Sequence, residues 1–278
     1  MEYRAGRHRE PDDLPFGTAR GNNAVPGGPV PSPASGSAPR FYRHWVRDKD
    51  LVSFSVAEKE TDLCIRARRN LRAKASKSLR KHRASLEAFV ARNPPFLASL
   101  DPLWVGEDAP QIVRDMAAAS QVAGVGPMAA VAGAIAEAVG KDLLSFSSEL
   151  IVENGGDIFL RVTRTRLVGV YAGRSPFTGR IALEILPKDT PLGIGTSSGT
   201  IGHSLSLGCA DAAIALSRSA AVADAAATAL GNAVRCAEDV PVAIEVARGL
   251  QGVLGVAIIV GDRIGVWGRV KIVSLGGG

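Results

Sequence analysis

Residues Glu149 to Thr163 read ELIVENGGDIFLRVT, and this stretch decides the fold class. Two runs of β-forming residues flank the sequence Asn-Gly-Gly-Asp. A glycine pair permits the positive φ angles of a tight hairpin turn and leaves a bare backbone that a ligand can approach. The stretch therefore predicts two paired strands, with Gly155, Gly156 and Asp157 as candidate ligand-binding residues. The alternative is that the glycine pair serves only the turn.

Other segments show strand-like alternation or helical spacing in no regular order. The strand-like runs are Thr61–Ala67, Leu167–Tyr171, Ile181–Ile185, Ala212–Ser217, Leu254–Val260 and Ile264–Val273. The helical runs are Leu71–Phe89, Gln111–Ala123, Met128–Val139 (ended by Gly140), Val222–Arg235 and Val242–Leu250. Because the strands cluster with few interposed helices and no regular βαβ alternation, the sequence predicts a single α+β domain of mixed β-sheets with packed helices.

The first 40 residues differ from the rest in composition. Prolines and glycines crowd residues 26–39, where large apolar side chains are almost absent. Such a segment buries too little apolar surface to offset its chain entropy. We predict a disordered tail over residues 1–40 and a folded domain over residues 41–278.

The net charge of +6 is concentrated in one segment. Residues 63–86 hold nine Lys or Arg and no Asp or Glu, whereas the rest of the chain holds 24 basic and 27 acidic residues. No aromatic residues alternate with these cations, so nucleic-acid binding is not expected. The basic helix is either a solvated face or a surface for an acidic partner or nucleotide phosphates.

Cysteine usage and apolar segments indicate a cytoplasmic protein without a membrane span. The three cysteines are widely spaced and form no C-x-x-C pair. This usage argues against a zinc knuckle and is typical of a protein in a reducing compartment. The N-terminus carries mixed charges and lacks the apolar core of an export signal. Met116–Ala136 has no charge but is broken by a Gly-x-Gly-Pro sequence, which predicts two helical pieces packed inside a soluble domain.

Residues Gly193 to Ser204 read GIGTSSGTIGHS, which predicts a loop of small and hydroxyl-bearing residues. Consecutive small residues can turn backbone N–H groups inward as an anion nest, and hydroxyls add donors to a phosphate. The candidate ligand-binding residues are Thr196, Ser197, Ser198, Gly199 and Thr200. His203 is a candidate catalytic residue. The alternatives are a flexible loop and a hydrogen-bonded structural histidine.

Asp224 and Thr228 stand four positions apart in an alanine-rich helical run. This spacing places both side chains on one helix face, one turn apart. A carboxylate and a hydroxyl together suit Mg²⁺, which takes few protein ligands and completes its shell with water and substrate phosphate. The alternative is that Asp224 complements the charge of its helix N-terminus while Thr228 bonds back to the preceding turn.

Taken in order, these motifs resemble the ApbE-like superfamily, and within it the branch called uncharacterised protein family 0280. The resemblance covers the chain from about residue 41 to the C-terminus. The matching segments are Glu60–Leu63, Val125–Gly133, Glu153–Asp157, Thr196–Gly199 with His203, and Ala223–Ala229.

The resemblance implies an ApbE-like α+β domain and a Mg²⁺-dependent activity. Superfamily enzymes transfer FMN from FAD to a protein threonine, and their Asp and Thr hold Mg²⁺ against the FAD diphosphate. Carried over, these roles fall on Asp224 and Thr228, with a flavin or adenine nucleotide as ligand and a protein as acceptor of FMN or of a nucleotidyl group. The transferases also carry a lysine near the start of the helix that is predicted here from Met128, and this chain has none there. The alternative is a non-catalytic or accessory protein of the same fold, with a part in sulfur or homocysteine metabolism.

Overall fold

The computed structural model describes residues 50–199 and 208–275. The predicted tail over residues 1–40 and the predicted domain start at residue 41 lie outside these ranges, as do Thr200 and His203. Strands and helices are mixed along the chain, and every strand pairing is antiparallel. The fold class is therefore α+β, as the sequence predicts.

The strands form two sheets. The strands are β1 Val52–Glu58, β2 Thr61–Ala67, β3 Leu150–Asn154, β4 Asp157–Arg161, β5 Arg166–Gly169, β6 Ile181–Ile185, β7 Leu192–Ser197, β8 Ala212–Ser217, β9 Val253–Val260, β10 Arg263–Gly268 and β11 Ile272–Ser274. The large sheet has the order β1-β2-β3-β4-β7-β8-β9-β10, and the small sheet has the order β11-β6-β5.

The α-helices lie along the chain between these strands. They are α1 Arg72–Arg92, α2 Pro95–Ala98, α3 Gln111–Ala123, α4 Val131–Leu143, α5 Ala220–Ala233 and α6 Val240–Gly249. A 3₁₀ turn over Pro127–Ala130 leads directly into α4. Gly124 ends α3 in the left-handed conformation, which glycine adopts without a Cβ penalty.

Alternating side chains of the large sheet enter different cores on its two faces. On β8, Ile214 and Leu216 join a core shared with the small sheet, whereas Ala213 and Ala215 pack with α5 and α6. A third cluster joins β2 and β3 to α1, α3 and α4. The helices and the small sheet therefore cover opposite faces of the large sheet.

Two local predictions were wrong, each because tertiary packing decides the outcome. Gly193–Ser197 belongs to strand β7 and not to a loop, since Leu192 and Ile194 alternate into the core. Gly140 lies inside α4, which continues to Leu143. A Cβ at Gly140 would collide with the Phe159 ring, so this glycine is a packing residue.

Two more differences concern strands. The run Ile264–Val273 is split between β10 and β11, which lie in different sheets, because Gly268 turns the chain with a φ of 77°. Strand β1 was not predicted; it pairs along its whole length with β2. The predicted bounds of β2, β6, β8 and α3 are confirmed.

The uncharged stretch forms two helical pieces, as predicted. In the described ranges, no single helix is long and apolar enough to cross a membrane. Gln111–Ala123 and Pro127–Leu143 reach that length and composition only when taken together, and they are bent by 106°.

Glycines allow α5 to approach its neighbours at backbone distance. A Cβ at Gly193 or Gly195 of β7 would strike the backbone of α5 at Ala220 or Ala223. A Cβ at Gly133 of α4 would strike the carbonyl of Ala220 and lie 2.8 Å from Cβ of Asp224. Helix α5 is thus held by backbone contact on both sides.

We expect Gly133→Ala to destabilise the fold by about 2 kcal/mol or more, because overpacking a close contact typically costs about 1–3 kcal/mol. Gly249→Ala is the matched control, since Gly249 is also helical and nothing lies within 4 Å of its added Cβ. Alanine there should leave stability unchanged or raise it by up to about 1 kcal/mol. Urea unfolding measures both, and equal effects of the two substitutions would contradict the close packing.

Candidate functional site

One peptide group at the start of α4 is held from two sides. The carbonyl of Ala132 accepts a hydrogen bond from Nδ2 of Asn154 at 3.0 Å. The N–H of Gly133, in the same peptide group, donates to Oδ2 of Asp224 at 2.8 Å. The β3–β4 turn, α4 and α5 therefore meet at this point, and Asp224 is positioned by a backbone contact 91 residues away in sequence.

Helices α4 and α5 cap each other. Oε2 of Glu137 in α4 accepts from the N–H of Ala220 at 2.6 Å and from the Ser219 hydroxyl at 2.9 Å at the start of α5. Helix α4 has no cap from its own adjacent side chains, and Asp224 supplies an acceptor to its first turn instead. The alternative in which Asp224 complements its own helix N-terminus is therefore wrong, because Glu137 and Ser219 occupy that position.

The β3–β4 hairpin places Asp157 beside β7. Gly155 and Gly156 have φ angles of 67° and 111°, as a tight turn requires. The N–H of Gly156 donates to Oε1 of Glu153 at 3.0 Å. Oδ1 of Asp157 accepts from the N–H of Thr196 at 3.0 Å. The predicted hairpin is confirmed, and its turn joins the strand that carries the Thr-Ser-Ser-Gly sequence.

Asp157 and Asp224 form a buried pair of carboxyl groups, with 6% and 8% of each residue exposed. Burial, followed by the charge of Asp224 and that of Glu153, raises the pKa of Asp157 well above its ordinary value. Burial raises the pKa of Asp224 to about 7, although the N–H groups of Gly133 and Ala132 lower it. The pair therefore holds protons more tightly than ordinary carboxyl groups do.

Some oxygens around this pair are open to further ligands. Within the described ranges, Oδ2 of Asp157 and the Thr228 hydroxyl make no hydrogen bond. Neither oxygen is completely enclosed by the protein, so both can accept a further ligand. Thr228 is half-buried, and within these ranges its hydroxyl does not bond back to the preceding turn. Carboxylate and hydroxyl oxygens are the donors that Mg²⁺ prefers, so this donor set fits that ion. Among the described residues, no cluster of three or more His, Cys, Asp or Glu residues suits a metal.

Of the other candidate residues, Thr196 and Ser197 end strand β7, and Ser198 and Gly199 come directly after it. Gly193 and Gly195 face α5, so alternation places buried Ser197 on the same side and turns the Thr196 side chain to the opposite face. Thr196 thus reaches Asp157 through its N–H alone. Gly199 donates its N–H to the carbonyl of Ala210 at 2.9 Å and touches the backbone of Gly208.

Asn154, Gly133 and Glu137 were not among the sequence-based site residues. Asn154 and Gly133 do lie in segments that carry the family resemblance, so the resemblance could have marked them as candidate site residues. Nothing in the sequence marks Glu137, since an acidic residue in a helix is ordinarily a solvent-exposed charge.

The fold is similar to that of solved flavin transferases. The apo form of flavinyl transferase ApbE from Pseudomonas stutzeri matches with a TM-score of 0.54 and 14% identity, over 78% of this chain and 94% of that chain. A single-residue mutant of flavin transferase ApbE from Vibrio cholerae matches with a TM-score of 0.51 and 14% identity, over 78% and 97% of the two chains. The chain therefore has an ApbE-like fold.

Sequence relatives define the family more closely. A family model described as AbpE bacteria matches residues 43–253. A UPF0280 protein of Methanosarcina acetivorans is 44% identical over 202 residues, covering 72% of this chain and 79% of the relative. A UPF0280 protein of Methanocaldococcus jannaschii is 43% identical over 202 residues, covering 71% and 82%. The chain belongs to the UPF0280 family of ApbE-like proteins.

The raised pKa values predict how stability depends on pH. A carboxyl group whose pKa is higher in the folded state contributes stability at low pH, and this contribution is lost as pH rises through the folded pKa, which is about 7 for Asp224. Asp157→Asn keeps an oxygen for the Thr196 N–H and removes one charge. We expect wild type and variant to be similar at pH 5 and the variant to be more stable at pH 8 by about 1 kcal/mol or more, since one pKa unit corresponds to about 1.4 kcal/mol.

Urea unfolding in EDTA at both pH values measures this difference. Asp262→Asn is the control, because Asp262 is an exposed carboxyl in the turn between β9 and β10 and its loss should change little. A variant at Asp157 that is less stable than wild type at pH 8 would overturn the predicted repulsion.

Proposed function

We propose that this protein binds a flavin or adenine nucleotide together with Mg²⁺ and transfers FMN or a nucleotidyl group to a protein acceptor. The observation that carries the proposal is the buried pair Asp157 and Asp224, with the Thr228 hydroxyl one helical turn from Asp224, in an ApbE-like fold. Within the described ranges no Lys or Arg forms an ion pair with either carboxyl group. A bound cation would compensate their charge.

Each residue has a distinct part in this proposal. Asp224 and Thr228 hold Mg²⁺ in this proposal, and Asp157, whose pKa is raised by the charge of Asp224, is proposed to add an oxygen. When bound, the ion withdraws negative charge from the diphosphate of the ligand. Gly155 and Gly156 present bare backbone to the ligand, because no Cβ stands between it and the turn. The hydroxyls of Thr196, Ser197, Ser198 and Thr200 are proposed to donate to the ligand, with Gly199 between them, because the N–H groups of Thr196 and Gly199 are already bonded within the chain. His203 is proposed as a catalytic residue.

The packing of α5 orients these groups. The N–H of Gly133 fixes one oxygen of Asp224, and Glu137 fixes the first turn of α5. Thr228 follows Asp224 by one turn of the same helix, so its hydroxyl is positioned without a bond of its own. Such positioning suits phosphoryl and nucleotidyl transfer, in which orientation and charge stabilisation supply most of the catalysis.

The second candidate is a non-catalytic member that binds the nucleotide without transferring any group. The observation that favours it is the missing lysine, because Pro127–Leu143 contains only Lys141. Lys141 lies in the last turn of α4 and pairs with Oε1 of Glu137 at 2.7 Å. This lysine therefore belongs to the helix cap and does not replace one at the start of α4.

We expect Mg²⁺ and the nucleotide to bind as a coupled pair. Mg²⁺ should raise the affinity for FAD or ADP by about tenfold or more, within the range of about 5–150-fold typical of coupled sites. Thr228→Val should abolish this increase, whereas Thr228→Ser, which keeps the hydroxyl, should retain it. Calorimetric titration with Mg²⁺ and with EDTA measures both, and equal affinities in the two buffers would refute the coupled site.

Turnover separates the two candidate functions. If FMN is transferred, incubation with FAD and Mg²⁺ releases AMP and leaves flavin on an acceptor protein, and Thr228→Val should reduce the rate at least about tenfold. Mass spectrometry of the acceptor and chromatography of AMP provide the measurement. Coupled binding without AMP release, with acceptor present, would assign the non-catalytic function.

A further inference from the structure

The first three turns of α1 and the residues just before them carry only positive charge. We call these six cations the basic face: Arg69, Arg72, Lys74, Lys77, Arg80 and Lys81. All six are exposed, and no Asp or Glu occurs between the first and the last. Buried Ala75 and Leu79 fix the opposite side of the helix against the core, so the basic face points to solvent.

The charge of the basic face is not compensated by the part of the chain that the structure describes. Neighbouring cations are paired: Lys59 and Arg83 bond Glu87, and Arg68 bonds Glu149. Within the described residues, none of the six has such an ion pair. Three of them interact instead with Phe146 or Asp142.

Contacts with Phe146 and Asp142 hold some side chains of the basic face in place without neutralising their charge. Arg69 donates to the carbonyl of Phe146 at 3.0 Å, and Nζ of Lys74 lies 3.9 Å from the centroid of its ring. Lys81 contributes to lowering the pKa of Asp142, whose Oδ2 is already bonded by Ser78 and His82. Among the described residues, the side chains of Arg72, Lys77 and Arg80 have no hydrogen-bond or ion-pair partner and are exposed to solvent.

The basic face is separate from the carboxylate pair. Helix α1 bonds to α4 at Asp142, whereas Asp224 holds α4 at Gly133. These two points are nine residues apart, or about 14 Å along a helix that rises 1.5 Å per residue. The cations therefore do not neutralise a diphosphate bound at Asp157 and Asp224.

The surroundings of the cations indicate which polyanion fits. Within the described ranges, the aromatic ring in contact with these cations is that of Phe146, and Lys74 covers it, so this ring is not free to stack with a nucleic-acid base. Large apolar side chains that could enter a bilayer are otherwise missing from residues 69–81, apart from buried Leu71 and Leu79. The residues between the cations include Ala73 and Ser76, which allow another backbone to come close.

We propose that the basic face is a docking surface for an acidic helical segment of a partner protein. Lys74, Lys77 and Lys81 recur at i, i+3 and i+7, the spacing at which side chains line one side of a helix. Carboxylates at the same spacing on a facing helix meet them in register. The proposal stands independently of the nucleotide site.

The test uses a 20-residue peptide of Ala and Glu, with Glu at every third or fourth position and a fluorescent label. The triple variant Lys74→Glu, Lys77→Glu and Lys81→Glu should weaken binding about tenfold or more, because like charges then oppose the peptide. The control Arg174→Glu, Lys188→Glu and Arg269→Glu changes the net charge equally at exposed sites elsewhere and should change binding less than about twofold. Circular dichroism checks the fold of both.

Fluorescence anisotropy at low and high salt decides the outcome. Binding that falls with salt and is lost only in the α1 variant supports the proposal. It is overturned if wild type does not bind the peptide, or if both triple variants lose binding equally. A 20-nucleotide oligouridylate or phosphatidylserine vesicles that bind more tightly than the peptide, with the same loss in the α1 variant, would assign the face to nucleic acid or membrane instead.

Discussion

The bonds of Asn154 and Asp224 to the peptide group between Ala132 and Gly133 hold the core and the candidate site in one arrangement. They tie together the β3–β4 turn, the first turn of α4 and the second turn of α5, which are distant in sequence. A side chain at residue 133 would push α5 away, so glycine is required for the bond to form. The place of the candidate ligand residues is thus set by helix packing.

The same requirement explains the small residues of α5 and β7. Only 5% of the chain is aromatic, and much of the core consists of alanines and glycines packed at backbone distance. Close approach brings polar backbone groups into the interior, where each requires a hydrogen-bond partner. Glu137 and Asp224 provide partners for the first turns of α5 and α4. The buried acids therefore follow from the tight packing.

Sequence reasoning succeeded where a local pattern and the tertiary packing agree. Thr61–Ala67 alternates in sequence and pairs as an antiparallel strand. Gly124 ends α3 because it adopts the left-handed backbone conformation, which is a local property of glycine. It failed at Gly140 and at β7, where glycines that resemble breaks are packing residues. Asp224 and Thr228 could be singled out from their spacing. The bond from Gly133 could not, because it depends on a contact between residues 91 positions apart.

The two buried carboxyl groups of the candidate site favour their protonated forms. Two acids brought together in a buried place cannot both ionise cheaply, so one retains a proton or a cation takes its place. The first turn of α4 stabilises one oxygen of Asp224, and the N–H of Thr196 stabilises one oxygen of Asp157. Each hydrogen bond fixes its carboxyl group in position but uses only one of the two carboxyl oxygens. The fold thus positions both carboxyl groups, and burial keeps a proton on the pair unless a bound cation replaces it.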